Sequence, residues 1–180
     1  LAALKAYGQC SVVIDLIYGL PGQTMEVWER DLADLVSSGV DGADLYQLNV
    51  FDGSDLNKDI AKGKVPAAAT TAMQGDMFKF GRKYLDERSY RRLSAAHWSA
   101  NNRERSLYNI LAKAGVPMFP FGSGAGGNVD GYGMMLHRAL KPYEDMVSRG
   151  EKPFMALMKQ SELQPVVNQV VSQLEQGFLN

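Results

Sequence analysis

Apolar and polar positions repeat with two different periods along this chain, and the switches between them mark out its elements. Val12-Val13-Ile14 opens a short β-branched run that ends at Gly19 and Pro21, the pattern of a strand in a parallel sheet. Side chains alternate along a strand, so Val13, Asp15 and Ile17 share one face while Ile14 and Leu16 take the other. Thr24 then suits a helix N-cap and Glu26 complements the helix dipole. Trp28, Leu32, Leu35 and Val36 recur at helical spacing, which predicts an amphipathic helix closed at Gly39. Residues 45–51 predict the next strand, with Leu45, Gln47, Asn49 and Phe51 on one face against Tyr46, Leu48 and Val50. The first fifty residues thus predict a β-α-β unit whose right-handed crossover makes its strands parallel.

Further along, residues 67–87 predict a helix with Met73, Met77, Phe80 and Tyr84 as core contacts. Residues 92–98 predict a strand, and Ser106 to Leu111 is open between strand and helix. Residues 116–121 and 132–136 read as strands around a glycine-rich loop. Pro142 opens a short helix closed by Gly150, and Pro165 opens another that carries Val166, Val167, Val170, Val171 and Leu174. The change from βα units to antiparallel segments near residue 90 marks a candidate domain boundary.

Asp15 stands out against this apolar background. A carboxylate inside an apolar strand is costly unless it is hydrogen-bonded or paired. Either it caps the loop at the strand end, or its face lines a cavity where it meets a polar ligand with Ile17 as the apolar wall. Gln47 and Asn49 raise the same question: they line a polar interior, or they satisfy backbone groups. Ligands of parallel α/β folds gather at the carboxyl ends of strands, where residues 15–17 and 49–51 fall.

The 180 residues are 46% hydrophobic and 22% charged, enough for one or two small domains. With 19 basic and 20 acidic residues and a net charge of -1, nothing marks a general nucleic-acid binder. The single cysteine, Cys10, excludes an internal disulfide framework and cannot alone hold zinc or an iron–sulfur cluster. No stretch reaches transmembrane length and no signal peptide is visible, which fits a cytoplasmic protein. The chain opens on Leu1 and enters a helical-looking segment at once, a hint of residues upstream. Gly122-Ser123-Gly124-Ala125-Gly126-Gly127 contains G-x-G-x-x-G, but the Asn128-Val129-Asp130-Gly131 that follows is turn chemistry, so a dinucleotide site is a poor reading. A loop that admits close approach of a bulky ligand or another strand fits better. His97 beside Trp98 faces a flat aromatic ligand or is a satisfied structural residue. Arg103 and Arg105 bind carboxylates such as porphyrin propionates or are merely solvated.

The string Asp15-Leu16-Ile17-Tyr18-Gly19-Leu20-Pro21-Gly22-Gln23-Thr24, followed some thirty residues later by Tyr46-Gln47-Leu48, resembles the late barrel strands of radical S-adenosylmethionine (SAM) enzymes. The branch is the one that holds oxygen-independent coproporphyrinogen III dehydrogenase and the heme chaperone HemW. Residues 92–98, 103–109 and 120–127 are most similar to its heme-utilisation subgroup, the HutW and ChuW type (anaerobilin synthases). The resemblance implies an α/β fold: the last strands of a partial (β/α) radical SAM barrel over residues 1–66, then a family-specific α+β C-terminal region over 67–160 and the start of a helical segment over 161–180. It implies SAM as cofactor, contacted by Asp15 at the ribose or methionine end, by Ile17, and by the stretch Asn49 to Phe51 near the adenine. It implies a heme or related porphyrin covered by His97, Arg103, Arg105, Tyr108, Gly124 and Gly126, and an electron donor such as flavodoxin.

The family's C-x3-C-x2-C motif for a [4Fe–4S] cluster and its glycine-rich SAM motif do not occur here. The cluster ligands are therefore expected outside this chain, no metal ligand or catalytic residue is assigned within it, and the chain alone is expected to be inactive. For the parent enzyme the resemblance implies reductive cleavage of SAM to a deoxyadenosyl radical, methyl transfer from a second SAM, and opening of the heme macrocycle with release of iron. Heme trafficking and coproporphyrinogen decarboxylation are the alternatives within the branch.

Overall fold

A computed structural model describes residues 1–180, which fold as two compact units, Leu1–Arg105 and Ser106–Asn180. The first holds α1 (Ala2–Tyr7), β1 (Val13–Tyr18), α2 (Met25–Ser38), β2 (Gly42–Gln47), α3 (Asp55–Ala61), α4 (Thr71–Asp86), β3 (Arg91–Arg92) and β4 (His97–Ser99). Its sheet runs β1-β2-β4-β3. β1 and β2 are parallel, with Asp15 opposite Asp44 and Ile17 opposite Tyr46, and β4 joins β2 antiparallel, with His97 opposite Asp44.

This register sorts the side chains onto two faces. Tyr18, Ala43, Leu45 and Trp98 turn to the side covered by α2 and α4, where they form the core with Trp28, Leu32, Met77 and Leu85. Trp28 is fully buried, its ring 5.6 Å from Tyr18, and its indole N–H donates to the Met77 carbonyl at 2.8 Å, tying α2 to α4. Thr24 caps α2 by accepting from the Val27 N–H, and Thr70 caps α4 in the same way through Met73. Val13, Asp15, Ile17, Asp44, Tyr46 and His97 share the opposite face.

Several boundaries differ from those the sequence suggests. β2 begins at Gly42 and ends at Gln47, so Asn49 and Phe51 lie beyond it, exposed in a loop. Pairing of Gly42 with Val13 sets the early start. The segment 92–98 is a tight hairpin of two short strands, because the Leu93 and Ser94 N–H groups both fold back onto the His97 carbonyl. Helix α4 starts at Thr71, behind its cap, and α3, closed at its start by Ser54, has no apolar stripe to announce it. Residues 67–105 belong to the first unit, since α4 covers β1 and β2 and the β3–β4 hairpin extends their sheet.

The second unit comprises α5 (Leu107–Lys113), β5 (Gly126–Val129), β6 (Tyr132–Leu136), α6 (Leu140–Ser148), β7 (Phe154–Lys159) and α7 (Gln164–Gln176). Its sheet is an antiparallel β5-β6-β7. Asp130 and Gly131 both take positive φ, the two-residue primed turn whose twist suits a hairpin. Residues 116–121 form no strand beyond a single bridge from Met118 to Asn128. Two prolines, Pro117 and Pro120, lack the N–H groups a ladder needs. The latter half of the glycine run is the strand instead, and β7 is the partner that sequence reading overlooked. Pro142 sits inside α6 at its third residue and not at its first. Lys113 and Glu175 pair α5 with α7.

Candidate functional site

The uncovered face of the first sheet brings together the residues with chemistry to offer. Asp15 is exposed on it, and Ile17, two residues on along the same strand face, is 44% exposed, an unusual position for an isoleucine in a strand. Tyr46, across from Ile17 on β2, is also exposed, and its phenol is held above the ordinary tyrosine value by partial burial and by the charges of Asp44 and Asp15. A carboxylate flanked by an aliphatic and a phenolic side chain can take a cationic or hydroxyl-bearing ligand with an apolar flank.

Gln47 does not join this face. It turns to the helices, where its amide donates to Gln74 Oε1 at 2.7 Å, while Gln74 Nε2 donates to the Leu48 carbonyl at 3.0 Å. The Gln47 amide of β2 is therefore satisfied by Gln74 of α4, which in turn caps the backbone where the strand ends. Asn49 reaches only its neighbour, the Gln47 carbonyl, and Phe51 is 70% exposed.

His97 lies at the inner end of the same face, buried. Its Nδ1 is 2.8 Å from Asp44 Oδ2, and its Nε2 faces Glu104 Oε1 at 3.3 Å without hydrogen-bond alignment. Both carboxylates are buried as well, and Ser11 donates its hydroxyl to the other Glu104 oxygen at 3.0 Å. The Asp44 hydrogen bond, with the charges of both carboxylates, raises the imidazole above its ordinary value against the opposing effect of burial. Sequence reading singled out His97 but neither of its partners. The one available signal was Asp44 itself, a second acidic residue where the parallel register brings it level with Asp15.

Arg103 fastens the chain, with Nη2 donating to the Gly8 and Cys10 carbonyls at 2.9 and 2.8 Å and Nε 3.5 Å from Asp41. Arg105 is exposed. In the second unit Tyr108 is exposed on α5. The Gly124 N–H donates to the His137 carbonyl, and Gly126 pairs with Met135. A β-carbon on Gly127 would meet the Met118 carbonyl at 2.4 Å, so this glycine admits the chain's own backbone. Nearby, an apolar groove of about 540 Å³ is lined by Phe119, Phe121, Tyr132, Tyr143, Phe154 and Leu157 among others. No helix is long and apolar enough to cross a membrane.

No family model matches the chain. It is 40% identical over 154 residues, 86% of its length, to an anaerobilin synthase of Escherichia coli O157:H7, covering 34% of that protein. It is 28% identical over 130 residues, 71% of its length, to the heme chaperone HemW of Lactococcus lactis subsp. lactis, covering 33% of it. The chain thus spans about a third of the length of these curated relatives. Among solved structures it resembles the radical SAM enzyme coproporphyrinogen III oxidase (HemN) from Escherichia coli, with a TM-score of 0.76 at 17% identity over 97% of this chain and 42% of that one.

Proposed function

The chain belongs to the HemN/HemW-like radical SAM family, close to anaerobilin synthase, and on that footing we propose that it is part of a radical SAM methyltransferase that opens the heme macrocycle without oxygen and releases iron. The observation that carries the reading is Asp15 standing exposed, with Ile17 and Tyr46, on the sheet face that α2 and α4 leave uncovered.

This face fits SAM. A carboxylate accepts from an ammonium or a ribose hydroxyl and balances a sulfonium charge, while Ile17 and Tyr46 offer apolar surface to the rest of the molecule. When bound, SAM supplies the radical initiator and a methyl group. The residues of this chain bind and orient it: Asp15 holds the polar end, Ile17 excludes water behind it, and Asn49 and Phe51, just beyond β2, stand on the adenine side. A [4Fe–4S] cluster does not fit the donors present, because Cys10 is the sole thiol and is exposed. The chain by itself is therefore expected not to turn over. For the porphyrin, Arg105 is the guanidinium still free of structural duty and suits a propionate. Tyr108, Gly124 and Gly126 remain candidates for contact with the macrocycle, whereas His97 serves from the buried inner end of the face.

The test is anaerobic turnover by the complete gene product with SAM, heme and a reductant such as reduced flavodoxin. Loss of the heme absorption band with release of ferrous iron is expected. The likeness to HemW favours a second reading, a heme chaperone. Stable heme binding with an unchanged spectrum under turnover conditions would select it, and loss of carbon dioxide from a propionate-bearing substrate would select decarboxylation.

A further inference from the structure

His97 sits between two carboxylates in a way that fixes its own charge. Each ring nitrogen faces a carboxylate oxygen, at 2.8 Å from Asp44 and 3.3 Å from Glu104, and all three residues are buried. A neutral imidazole carries one N–H, so either tautomer would turn a lone pair toward one of these oxygens. An imidazolium donates to Asp44 and meets Glu104 as a charge, and it offsets one of two negative charges that would otherwise be buried together. The groups that surround it come from every neighbouring element. Asp44 and, beyond it, Tyr46 come from β2, and Asp15 of β1 stands level with Asp44. Glu104 comes from the turn before the second unit, with Ser11 on its far oxygen. The cations nearby in sequence are committed or exposed: Arg91 and Arg92 of β3 are exposed, Arg92 lying over the Trp98 ring, and Arg103 is held by backbone carbonyls and Asp41.

We infer that His97 is a buried imidazolium and the positioning residue of the open face of the first sheet, fixing Asp44 and Glu104 directly and the Tyr46 phenol through Asp44. The inference stands on the sheet alone and is independent of which reaction the family reading assigns. It gives the face a built-in alkaline limit: loss of the proton leaves a lone pair against a buried carboxylate, and the change at Asp44 reaches Tyr46, two residues on along the same face of β2.

Long-range 1H–15N correlation NMR on the 180-residue chain tests this without altering the cluster. The chain has two histidines, so His137→Gln leaves His97 as the sole imidazole. At about pH 8, well above the ordinary histidine value of about 6.5, both ring nitrogens of His97 are expected at protonated shifts. Tyr46 ring resonances, assigned with Tyr46→Phe, are expected to move with the same midpoint as His97 when the pH is raised further. A neutral tautomer pattern at pH 8 would overturn the imidazolium. An imidazolium whose titration leaves the Tyr46 ring unmoved would overturn the positioning role.

Discussion

At the scale of single residues, charge placement decides most of what this chain can do. His97 has its proton affinity raised in the folded state, so the sign of its contribution to stability follows. The contribution is complete below the unfolded value of about 6.5 and is lost as pH rises through the higher folded value. The urea midpoint of the chain is therefore expected to fall on the alkaline side, and His97→Gln to lower stability at neutral pH while flattening that fall. An alkaline slope equal in both proteins would contradict it. Asp15 works differently, since it is exposed and its partner is a ligand. In the complete protein Asp15→Ala is expected to weaken SAM binding by about 1–3 kcal/mol, the scale of a lost hydrogen bond to a charged group. Isothermal titration calorimetry reads this directly.

Among elements, the α2–α4 pair covers one side of the first sheet and leaves its other side to Asp15, Ile17 and Tyr46. Trp28 fills that junction and bonds to Met77, so Trp28→Ala is expected to cost about 3–5 kcal/mol in urea unfolding. In the second unit, Gly127→Ala would press a methyl into the Met118 carbonyl and is expected to cost about 1–3 kcal/mol by the same measurement. Helix α2 with its Thr24 cap and α7 with Pro165 were legible in sequence, as was the parallel β1–β2 pair, whereas α4 was legible by its apolar stripe and not by its Thr70 cap. What escaped were elements defined by partners far along the chain. β7 reads Phe-Met-Ala-Leu-Met-Lys with no alternation, and only β6 makes it a strand. The amides of β2 looked like pocket lining because nothing local reveals Gln74, 27 residues on. The Asp44–His97–Glu104 cluster likewise joins residues 53 apart across an antiparallel pair that no short-range pattern encodes.

For the molecule as a whole, the second unit keeps much of its apolar surface outside. Phe121 is 87% exposed, Phe119 71% and Met158 69%, and the groove beside the two phenylalanines is apolar. Patches of this kind bind hydrophobic dyes and invite association. The native chain is expected to enhance the fluorescence of 8-anilinonaphthalene-1-sulfonate. The double change Phe119→Ser, Phe121→Ser is expected to reduce the signal without lowering the unfolding midpoint, because neither side chain is buried. A midpoint that drops with the signal would mean these rings support the fold.

Both tryptophans, Trp28 and Trp98, are fully buried in the first unit, and the second unit has none. Intrinsic indole emission therefore reports the first unit alone, whereas far-ultraviolet ellipticity sums over both. Denaturation followed by the two signals separates the melting of one unit from that of the other.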